Sequence, residues 1–399
     1  MYQPSSEILD KYADVLVNFA LNSGKGIKKN EVVFLQVPES AKPLLMSLQK
    51  SVLKAGAHAM IQYLPDSMER TFFEMANPDQ LAFFPSAFLK GRVQQADHFL
   101  MILAETNLHE LEGIDPQKIM ERSSVFKPYK DWRDAKENKG KLTWTIGLYA
   151  TQAAASEANL TLKQYWQQII KACFLNHPNP VEKWRQIQAS SERIRNKLNK
   201  LEIVKVNIKA KDTDLNIVIG ENRQWLGGGG RNIPSFEIFT SPDWRQTNGY
   251  IFFDQPLYRH GNLIKNIKLT FKDGLVVDAK ADQGEKFLKQ LINVTNSDKI
   301  GEFSLTDKRF SKIDKFMAET LFDENFGGAF GNTHIALGSA YKDTYSKKMN
   351  KLTEKDWQDF GFNDSAVHTD IIATSDRTVT ATLKNGKEIT LYKSGKFVI

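Results

Sequence analysis

Apolar positions along the first half of the chain follow two alternating patterns, one typical of helices and one typical of buried strands. Short apolar runs predict strands at 32–37, 58–64, 98–104 and 142–149. Helical periods lie before, between and after them, at 6–23, 41–55, 68–95, 116–137, 161–174 and 181–200. Because strands that alternate with helices are typical of a parallel α/β layer, residues 1–195 are predicted to form an α/β domain.

The pattern changes near residue 200. Strict apolar–polar alternation begins at Ile203 and returns up to the end of the chain, which predicts half-buried strands. Asp273-Gly274 and Asn385-Gly386 are typical of tight hairpins. Helical patterns are confined to 284–294 and 311–319. Residues 200–399 are therefore predicted to form a β-rich α+β domain.

Length and composition support this organisation. A chain of 399 residues exceeds one ordinary core, so two domains are expected. No apolar run approaches the roughly 20 residues that span a bilayer, and the first residues lack the basic start of a signal peptide. The single cysteine, Cys173, excludes an internal disulfide framework. These features predict a cytoplasmic protein without a membrane partner.

The formal net charge of +7 raises the question of a nucleic-acid partner. Lysines are spread along the chain with acidic residues between them, and no basic block with interleaved aromatic residues occurs. We interpret the charge as a solvated surface and expect no nucleic-acid partner. A basic binding protein without enzymatic activity stays open as an alternative.

Candidate chemistry is concentrated between residues 321 and 370. His368 and Asp370 are two positions apart in a predicted strand, so their side chains lie on one face. His334 follows Glu324 by ten residues, with a glycine-rich bend between them. Imidazole and carboxylate together suit a divalent metal. Each pair taken alone is more typical of a structural hydrogen bond.

Two carboxylates upstream extend this set. Glu237 follows the glycine run 227–230, which permits close backbone approach, and Glu302 lies in the apolar segment KIGEFSL, which suggests a strand edge. Together the six residues provide four carboxylates and two imidazoles. That inventory suits a hydrolytic site with two metal ions, in which one carboxylate bridges both.

Five segments in this order carry a resemblance to a known family: RNIPSFEIFTSP, GEFSL, LFDENFGG, NTHIALGSAY and AVHTDII. They resemble the motifs of the aminopeptidase S/aminopeptidase T family of bacterial metallopeptidases. The resemblance extends over the whole chain and is densest from 223 to 371. It implies a two-domain cytoplasmic exopeptidase that cleaves peptides with a free N-terminus and forms a homodimer.

The resemblance also implies a cofactor and a set of site residues. The cofactor is a pair of divalent metal ions, zinc or cobalt, with manganese and magnesium as alternatives. The implied ligands are Glu237, Glu302, Glu324, His334, His368 and Asp370, with Glu302 as the bridge and a catalytic residue. Tyr341 matches an active-site tyrosine, whose phenol is suited to donating a hydrogen bond to a tetrahedral intermediate.

One segment departs from the family pattern. The loop GGAFGN before THIALG is longer here than in family members that have a short form of it. This difference leaves the pairing of Glu324 with His334 open. The identity of the general base is open as well. Other functions compatible with the same ligands are a dimetal amidase and a dimetal carboxypeptidase.

Overall fold

The computed structural model describes residues 2–259, 261–349 and 352–399. The chain divides into two compact units. Unit 1 comprises Met1–Arg185 and Gly229–Pro234, and unit 2 comprises Gln186–Gly228 and Ser235–Ile399. The sequence-based limits of the functional domains, 1–195 and 200–399, stay a prediction.

Unit 1 is built on a four-stranded parallel sheet connected by helices. Its strands, in the spatial order β2-β1-β3-β4, are β1 (Val32–Pro38), β2 (His58–Leu64), β3 (His98–Leu103) and β4 (Thr143–Leu148). Its helices are α1 (Ser6–Val15), α2 (Lys42–Lys54), α3 (Glu69–Met75), α4 (Pro78–Ala82), α5 (Ser86–Gln95), α6 (Pro116–Val125), α7 (Lys127–Asn138), α8 (Gln152–Glu157) and α9 (Leu162–Ala172). A π-helical turn (Leu16–Ala20) extends α1, a 3-10 turn (Glu39–Ala41) precedes α2, and α10 (Pro180–Leu198) contains the boundary with unit 2.

The elements of unit 1 follow from its apolar pattern. Val33, Leu35 and Val37 of β1 are fully buried, as expected for a strand in a covered parallel sheet. Tyr12 fixes α1 to β4, because its hydroxyl donates to the Leu148 carbonyl at 3.1 Å and accepts from the Leu148 amide at 2.9 Å. The predicted α/β layer is confirmed.

Unit 2 contains two antiparallel sheets and a two-stranded ribbon. Its strands are β5 (Ile203–Ala210), β6 (Thr213–Val218), β7 (Glu237–Thr240), β8 (Asp243–Phe253), β9 (Leu257–Arg259), β10 (Asn262–Ile264), β11 (Ile267–Lys272), β12 (Leu275–Lys280), β13 (Ile300–Thr306), β14 (Asn332–Gly338), β15 (His368–Ala373), β16 (Arg377–Leu383), β17 (Glu388–Lys393) and β18 (Lys396–Phe397). The eight-stranded sheet has the order β12-β11-β8-β6-β5-β16-β17-β18, the four-stranded sheet has the order β15-β14-β13-β7, and β9 pairs with β10. Its shorter elements are α11 (Glu285–Ile292), α12 (Thr320–Asp323), α13 (Glu354–Asp359) and a 3-10 turn (Lys342–Thr344).

The four-stranded sheet has one apolar face and one polar face. Phe303, Leu305, Ile335, Leu337 and Ile371 alternate along its strands and join a single core with apolar side chains of the eight-stranded sheet. Because side chains alternate across a strand, the intervening positions all lie on the opposite face. The β-rich second half is confirmed, and this second face holds the candidate chemistry.

The helix predicted over 311–319 is wrong. Ala318 has φ of +51°, which an α-helix cannot contain, and the backbone amides bond to other acceptors. The amide of Met317 donates to Asp323 Oδ1 at 2.8 Å and that of Glu319 to Asp323 Oδ2 at 3.1 Å. A buried carboxylate therefore holds this segment as an irregular loop.

Among the described residues, no helix combines the length and apolarity needed to cross a bilayer.

Candidate metal centre

The strand register brings five of the predicted residues onto the polar face of the four-stranded sheet. Across β13 and β14, Ser304 lies opposite His334 and Glu302 lies opposite Ala336. Ala336 in turn lies opposite Asp370 of β15, and Gly338 lies opposite His368. Glu237 begins β7 and lies opposite Thr306. Residues directly opposite each other in antiparallel strands share a face, so these side chains converge.

Glu302 occupies the centre of this cluster. Its Oε1 lies 3.1 Å from His334 Nε2, and its Oε2 lies 3.5 Å from His368 Nε2. Glu237 Oε2 is 3.2 Å from His334 Nε2, and Asp370 Oδ1 is 3.3 Å from His368 Nε2. The carboxylate of Glu302 thus lies between the two imidazoles.

Two groups of potential metal ligands result, and both contain Glu302. One consists of Glu237, Glu302 and His334, and the other of Glu302, His368 and Asp370. Within each group the ligand atoms lie within 4.8 Å of one another.

The predicted strand-edge position of Glu302 is wrong. β13 is an interior strand of the sheet, and only 3% of Glu302 is exposed.

A β-bulge at Gly301 lies directly before Glu302 in β13. The register between β13 and β14 shifts between Ile300 and Glu302. A Cβ atom on Gly301 would lie 2.3 Å from the Ser339 carbonyl oxygen and 2.5 Å from that of Gly338. Only glycine leaves room for this approach of two backbones, which is the usual reason for glycine in a bulge.

Glycine has a similar role beside Glu237. A Cβ atom on Gly227 would lie 2.1 Å from the Glu237 carbonyl oxygen, and φ of Gly227 is +142°. The adjacent Leu226 exchanges both backbone hydrogen bonds with Phe239 of β7, at 2.8 and 2.9 Å. The predicted close backbone approach at the glycine run is confirmed at Gly227, where it fixes the strand that carries Glu237.

Glu324 lies beside the cluster but outside both groups. It follows α12, is 8% exposed, and accepts a hydrogen bond from Asn325 Nδ2 at 3.3 Å. Burial and then the negative charges of Glu237 and Asp370 raise its pKa well above the usual range. Because this repulsion requires proximity, Glu324 belongs to the same electrostatic cluster.

Burial and the charges of neighbouring groups shift the pKa values of Glu237, His334 and Asp370. Burial raises the pKa of Glu237, and the nearby carboxylate of Glu302 raises it further. Burial alone would lower the pKa of His334, but its hydrogen bonds to Glu237 and Glu302 outweigh burial and raise it well above 6.5. Despite burial, His368 first and then His334 hold the pKa of Asp370 at about 2. The centre is therefore a buried site with excess negative charge.

Neighbouring groups hold the two imidazoles differently. His368 Nδ1 lies 2.8 Å from the Ser339 carbonyl oxygen, which fixes Nε2 as the nitrogen that faces the carboxylates. Arg259 donates from Nη2 to the His368 carbonyl at 3.2 Å, and its charge helps to lower the pKa of Asp370. His334 Nδ1 is buried and makes no hydrogen bond within the part of the chain that the structure describes.

Tyr341 lies against the His368 side of the centre. Its ring centroid is 4.8 Å from that of His368 and 5.7 Å from that of Phe239. Its amide donates to Ser241 Oγ at 2.8 Å. Although 43% of the residue is exposed, desolvation of the phenol and the charge of Glu302 raise its pKa, so Tyr341 stays a protonated donor.

Sequence reasoning missed the residues that support the centre. Ser304, whose hydroxyl donates to Glu237 Oε2 at 3.4 Å, is two positions from Glu302 and was detectable from strand alternation. Asn325 donates to Glu324 and also accepts from the Phe236 amide at 2.6 Å. For Arg259 and the Ser339 carbonyl, the sequence contains no comparable signal.

The chemistry of these donors fits divalent cations. Buried carboxylates that face one another are destabilised unless protons or cations neutralise them. Oxygen and imidazole donors, with one carboxylate common to two groups, suit a pair of ions that share a ligand. Two buried histidines alone do not balance four carboxylates.

Comparisons with known proteins agree with this chemistry. A model of the thermophilic metalloprotease (M29) family matches residues 5–397. Aminopeptidase PepS of Streptococcus thermophilus is 27% identical, with 98% of each chain covered. Aminopeptidase 2 of Geobacillus stearothermophilus is also 27% identical, with 98% of this chain and 97% of that protein covered.

A solved structure shows the same fold. Wild-type AmpT from Thermus thermophilus is similar with a TM-score of 0.82 at 23% identity, covering 98% of this chain and 99% of that chain. The predicted fold class and the predicted family resemblance are confirmed. Because the family model spans nearly the whole sequence, the chain belongs to the thermophilic metalloprotease (M29) family.

Proposed function

We propose that this metalloprotease is an aminopeptidase that removes N-terminal residues from peptides by means of two divalent cations. The family is a metalloprotease family, and the similar proteins named above are aminopeptidases. The observation that carries the two-cation proposal is Glu302, which both potential ligand groups contain. A single-ion site would not require a carboxylate between two imidazoles.

The proposed ligands divide into two sets. Glu237, Glu302 and His334 would hold one cation, and Glu302, His368 and Asp370 the other. Glu324 supplies a further carboxylate beside both sets. Zinc or cobalt suits the mixed imidazole and carboxylate donors, with manganese and magnesium as alternatives. The chemistry supplied by such a pair, when bound, is polarisation of the scissile carbonyl and acidification of a water.

The protein residues orient the reaction and move the proton. We assign Glu302 as ligand and proton acceptor in turn, because its carboxylate lies between the two imidazoles at the centre of the cluster. Tyr341 stays protonated beside His368 and donates a hydrogen bond to the oxygen that becomes negative during attack. The carbonyl of Ser339 keeps the His368 ring in place during this step.

A substrate panel tests the function. Chelation should abolish hydrolysis of aminoacyl anilides. Separate addition of zinc, cobalt or manganese then shows which cation restores the activity. Peptides with a free N-terminus should be cleaved, and the same peptides with an acetylated N-terminus should not. Cleavage of acetylated peptides would indicate an amidase or a carboxypeptidase instead. Absence of both hydrolysis and micromolar metal binding would favour the binding-protein alternative.

Tyr341→Phe should lower kcat by about 100-fold and leave KM nearly unchanged, because loss of one oxyanion donor costs roughly 10²–10³ in kcat. The phenylalanine ring preserves the contacts with His368 and Phe239. Steady-state kinetics on an aminoacyl anilide measure both constants. Tyr250→Phe makes the same chemical change at an exposed residue of β8 and should have no effect. An unchanged kcat for Tyr341→Phe would remove the phenol from the mechanism.

Assembly and location rest on the family resemblance. We propose that the chain forms a homodimer in the cytoplasm and acts on short peptides, without a nucleic-acid or membrane partner. An intracellular peptidase must spare folded proteins, which an enclosed active site would achieve. Light scattering that gives a single-chain mass at all working concentrations would contradict the dimer.

A further inference from the structure

A cavity lies within unit 1, beside the parallel sheet. Its volume is about 130 Å³, and it is open to solvent on one side. The lining residues come from β3, β4 and α7: Phe99, Met101, Arg133, Trp144, Thr145 and Ile146. Nothing in the proposed peptidase chemistry uses this cavity.

The strand register gives the cavity an apolar wall. Phe99 of β3 lies opposite Trp144 of β4, and Met101 lies opposite Ile146. Residues paired across parallel strands point to the same face, so two aromatic and two aliphatic side chains form a continuous surface. Phe99 is almost fully buried and belongs to a small core with Phe34. This wall suits the apolar body of a small molecule.

Arg133 brings to this wall a positive charge that forms no ion pair among the described residues. The carboxylate bonded to the wall, that of Glu137, accepts from Trp144 Nε1 at 3.1 Å and pairs with Arg231 at 2.9 Å. Arg133 places its guanidinium carbon 4.9 Å from the centre of the Phe99 ring. Among the described residues it makes no hydrogen bond and no ion pair, and its Nε is buried without a partner. A guanidinium has five N–H donors, so this side chain can receive a bidentate anion.

The other cations of α7 differ from Arg133 in this respect. Lys127 pairs with Asp131 at 2.8 Å, and Lys130 pairs with Asp134 at 2.6 Å. Lys136 donates to three carbonyl oxygens at the end of α5, those of Val93, Gln94 and Ala96. Three cations of this helix thus have protein partners, whereas the arginine that faces the cavity has none within the described chain.

A second guanidinium reinforces the positive potential. The guanidinium carbon of Arg92, in α5, lies 5.1 Å from the centre of the Tyr129 ring. The guanidinium carbon of Arg133 lies 5.9 Å from the centre of the same ring. Arg92 donates to the neutral amide of Gln62 and has no carboxylate within ion-pair distance among the described residues. Two guanidinium groups around one aromatic ring, neither of them ion-paired among the described residues, favour a bound anion.

We propose that this cavity binds a small carboxylate with an apolar body, with the carboxylate on Arg133 and the body against the wall of Phe99, Met101, Trp144 and Ile146. An apolar cavity of about 150 Å³ accommodates benzene, so a cavity of this size takes a ligand near the size of benzoate. Aromatic acids and free apolar amino acids share this chemistry. The two sources differ by the α-ammonium group; the Glu137 carboxylate beside the lining is already bonded to Trp144 and paired with Arg231.

Binding of benzoate to the full-length protein tests the proposal by calorimetry and ligand-observed NMR. Benzoate should bind saturably at one site, and neutral benzamide should bind much more weakly. Arg133→Gln should weaken benzoate binding by about 10–100-fold, the usual effect of losing a charge-assisted hydrogen bond. Leucine and 4-methylpentanoate differ only by the α-ammonium group. Equal affinity for the two would identify free amino acids as ligands, whereas tighter binding of 4-methylpentanoate would identify acids without an amino group.

Three variants make the result specific. Arg185→Gln removes a guanidinium from the same unit at an exposed position near Glu182 and should leave binding unchanged. Arg133→Lys keeps the positive charge and should retain part of the affinity for benzoate. Its binding would show that the loss in Arg133→Gln does not come from misfolding after any change at this position. Glu302→Gln should bind benzoate normally, which separates the cavity from the metal centre. Benzoate binding that is unsaturable, or that Arg133→Gln leaves intact, would mean an adventitious additive only and would overturn the proposal.

Discussion

Glu302→Gln should abolish peptide hydrolysis and remove most bound metal while the protein stays folded. The substitution removes one negative charge from the group that both potential ligand sets contain. Loss of a residue that merely supports a ligand typically costs 10–100-fold in metal affinity, so loss of a shared ligand should cost at least that much. Because the charge is lost for both sets at once, the two metals should be lost together.

Folding should survive for a steric reason. Glutamine has almost the same volume as glutamate, so no cavity forms and no neighbour is displaced. The amide of the substituted side chain can still hydrogen-bond to His334, which lies 3.1 Å from Oε1 of Glu302. Metal analysis of the purified variant, hydrolysis of an aminoacyl anilide and circular dichroism measure the three expectations separately.

Asp307→Asn provides the matched control. Asp307 is also a fully buried carboxylate next to β13, but it bonds to Arg309 and to the Phe397 amide at 2.9 Å. Its neutralisation should lower the free energy of unfolding by about 1–3 kcal/mol and leave the metal content of the folded protein unchanged. Full metal occupancy and normal turnover in Glu302→Gln would exclude Glu302 from the centre and weaken the whole ligand assignment.

The sequence predicts what depends on local periodicity. His368 and Asp370 are two positions apart in a strand, and the structure places both on the polar face of β15. The helix–strand alternation of unit 1 and the hairpins of unit 2 follow from the same periods. Local patterns decide these features because each side chain's direction is set by its own strand or helix.

Features that depend on pairing between distant segments escape such reasoning. Glu302 reaches His334 because the β13–β14 register places Ser304 opposite His334, and Glu302 shares the face of Ser304. Arg259 contacts the His368 carbonyl across 109 residues, and the hydrogen bond of His368 Nδ1 ends on a backbone atom of Ser339. Carbonyl partners of this kind leave no signature in residue type.

The loop at 311–319 shows the same limit in a wrong prediction. Its apolar spacing resembles one face of a helix, and Ile313 and Met317 are indeed buried. However, Ser311 donates to the Asn325 carbonyl, and the Gly327 amide donates to the Ile313 carbonyl at 2.9 Å. Partners outside the segment satisfy its polar groups, so tertiary contacts override the helical pattern.

Gly301→Ala should abolish activity as completely as Glu302→Gln, although it adds only a methyl group and changes no ligand. The added Cβ would lie 2.3 Å from the Ser339 carbonyl oxygen and 2.5 Å from that of Gly338. Both atoms are backbone and cannot rotate away, so β13 and β14 must separate locally. The close approach of Gly301 to this backbone lies directly before Glu302 in β13, so the separation should displace Glu302.

The same displacement should disturb a second ligand. The Ser339 carbonyl that the methyl group would push is the partner of His368 Nδ1, and Gly338 lies opposite His368 in the sheet. One methyl group therefore moves Glu302 and His368 together, which a substitution at either ligand would not do. Metal affinity should fall by more than 100-fold, beyond the range of about 10–100-fold for a single supporting residue. Overpacking should also lower the free energy of unfolding by about 1–3 kcal/mol.

Gly91→Ala makes the identical change where space is available. A Cβ atom at this interior position of α5 would meet no atom within 4 Å, and alanine favours the helix over glycine by about 0.5–1 kcal/mol. Its thermal midpoint should stay equal or rise, with activity unchanged. Metal analysis, anilide hydrolysis and thermal unfolding of both variants give the comparison. If Gly301→Ala retained full metal content and turnover, the close approach at Gly301 would have no part in holding Glu302 and His368 in place.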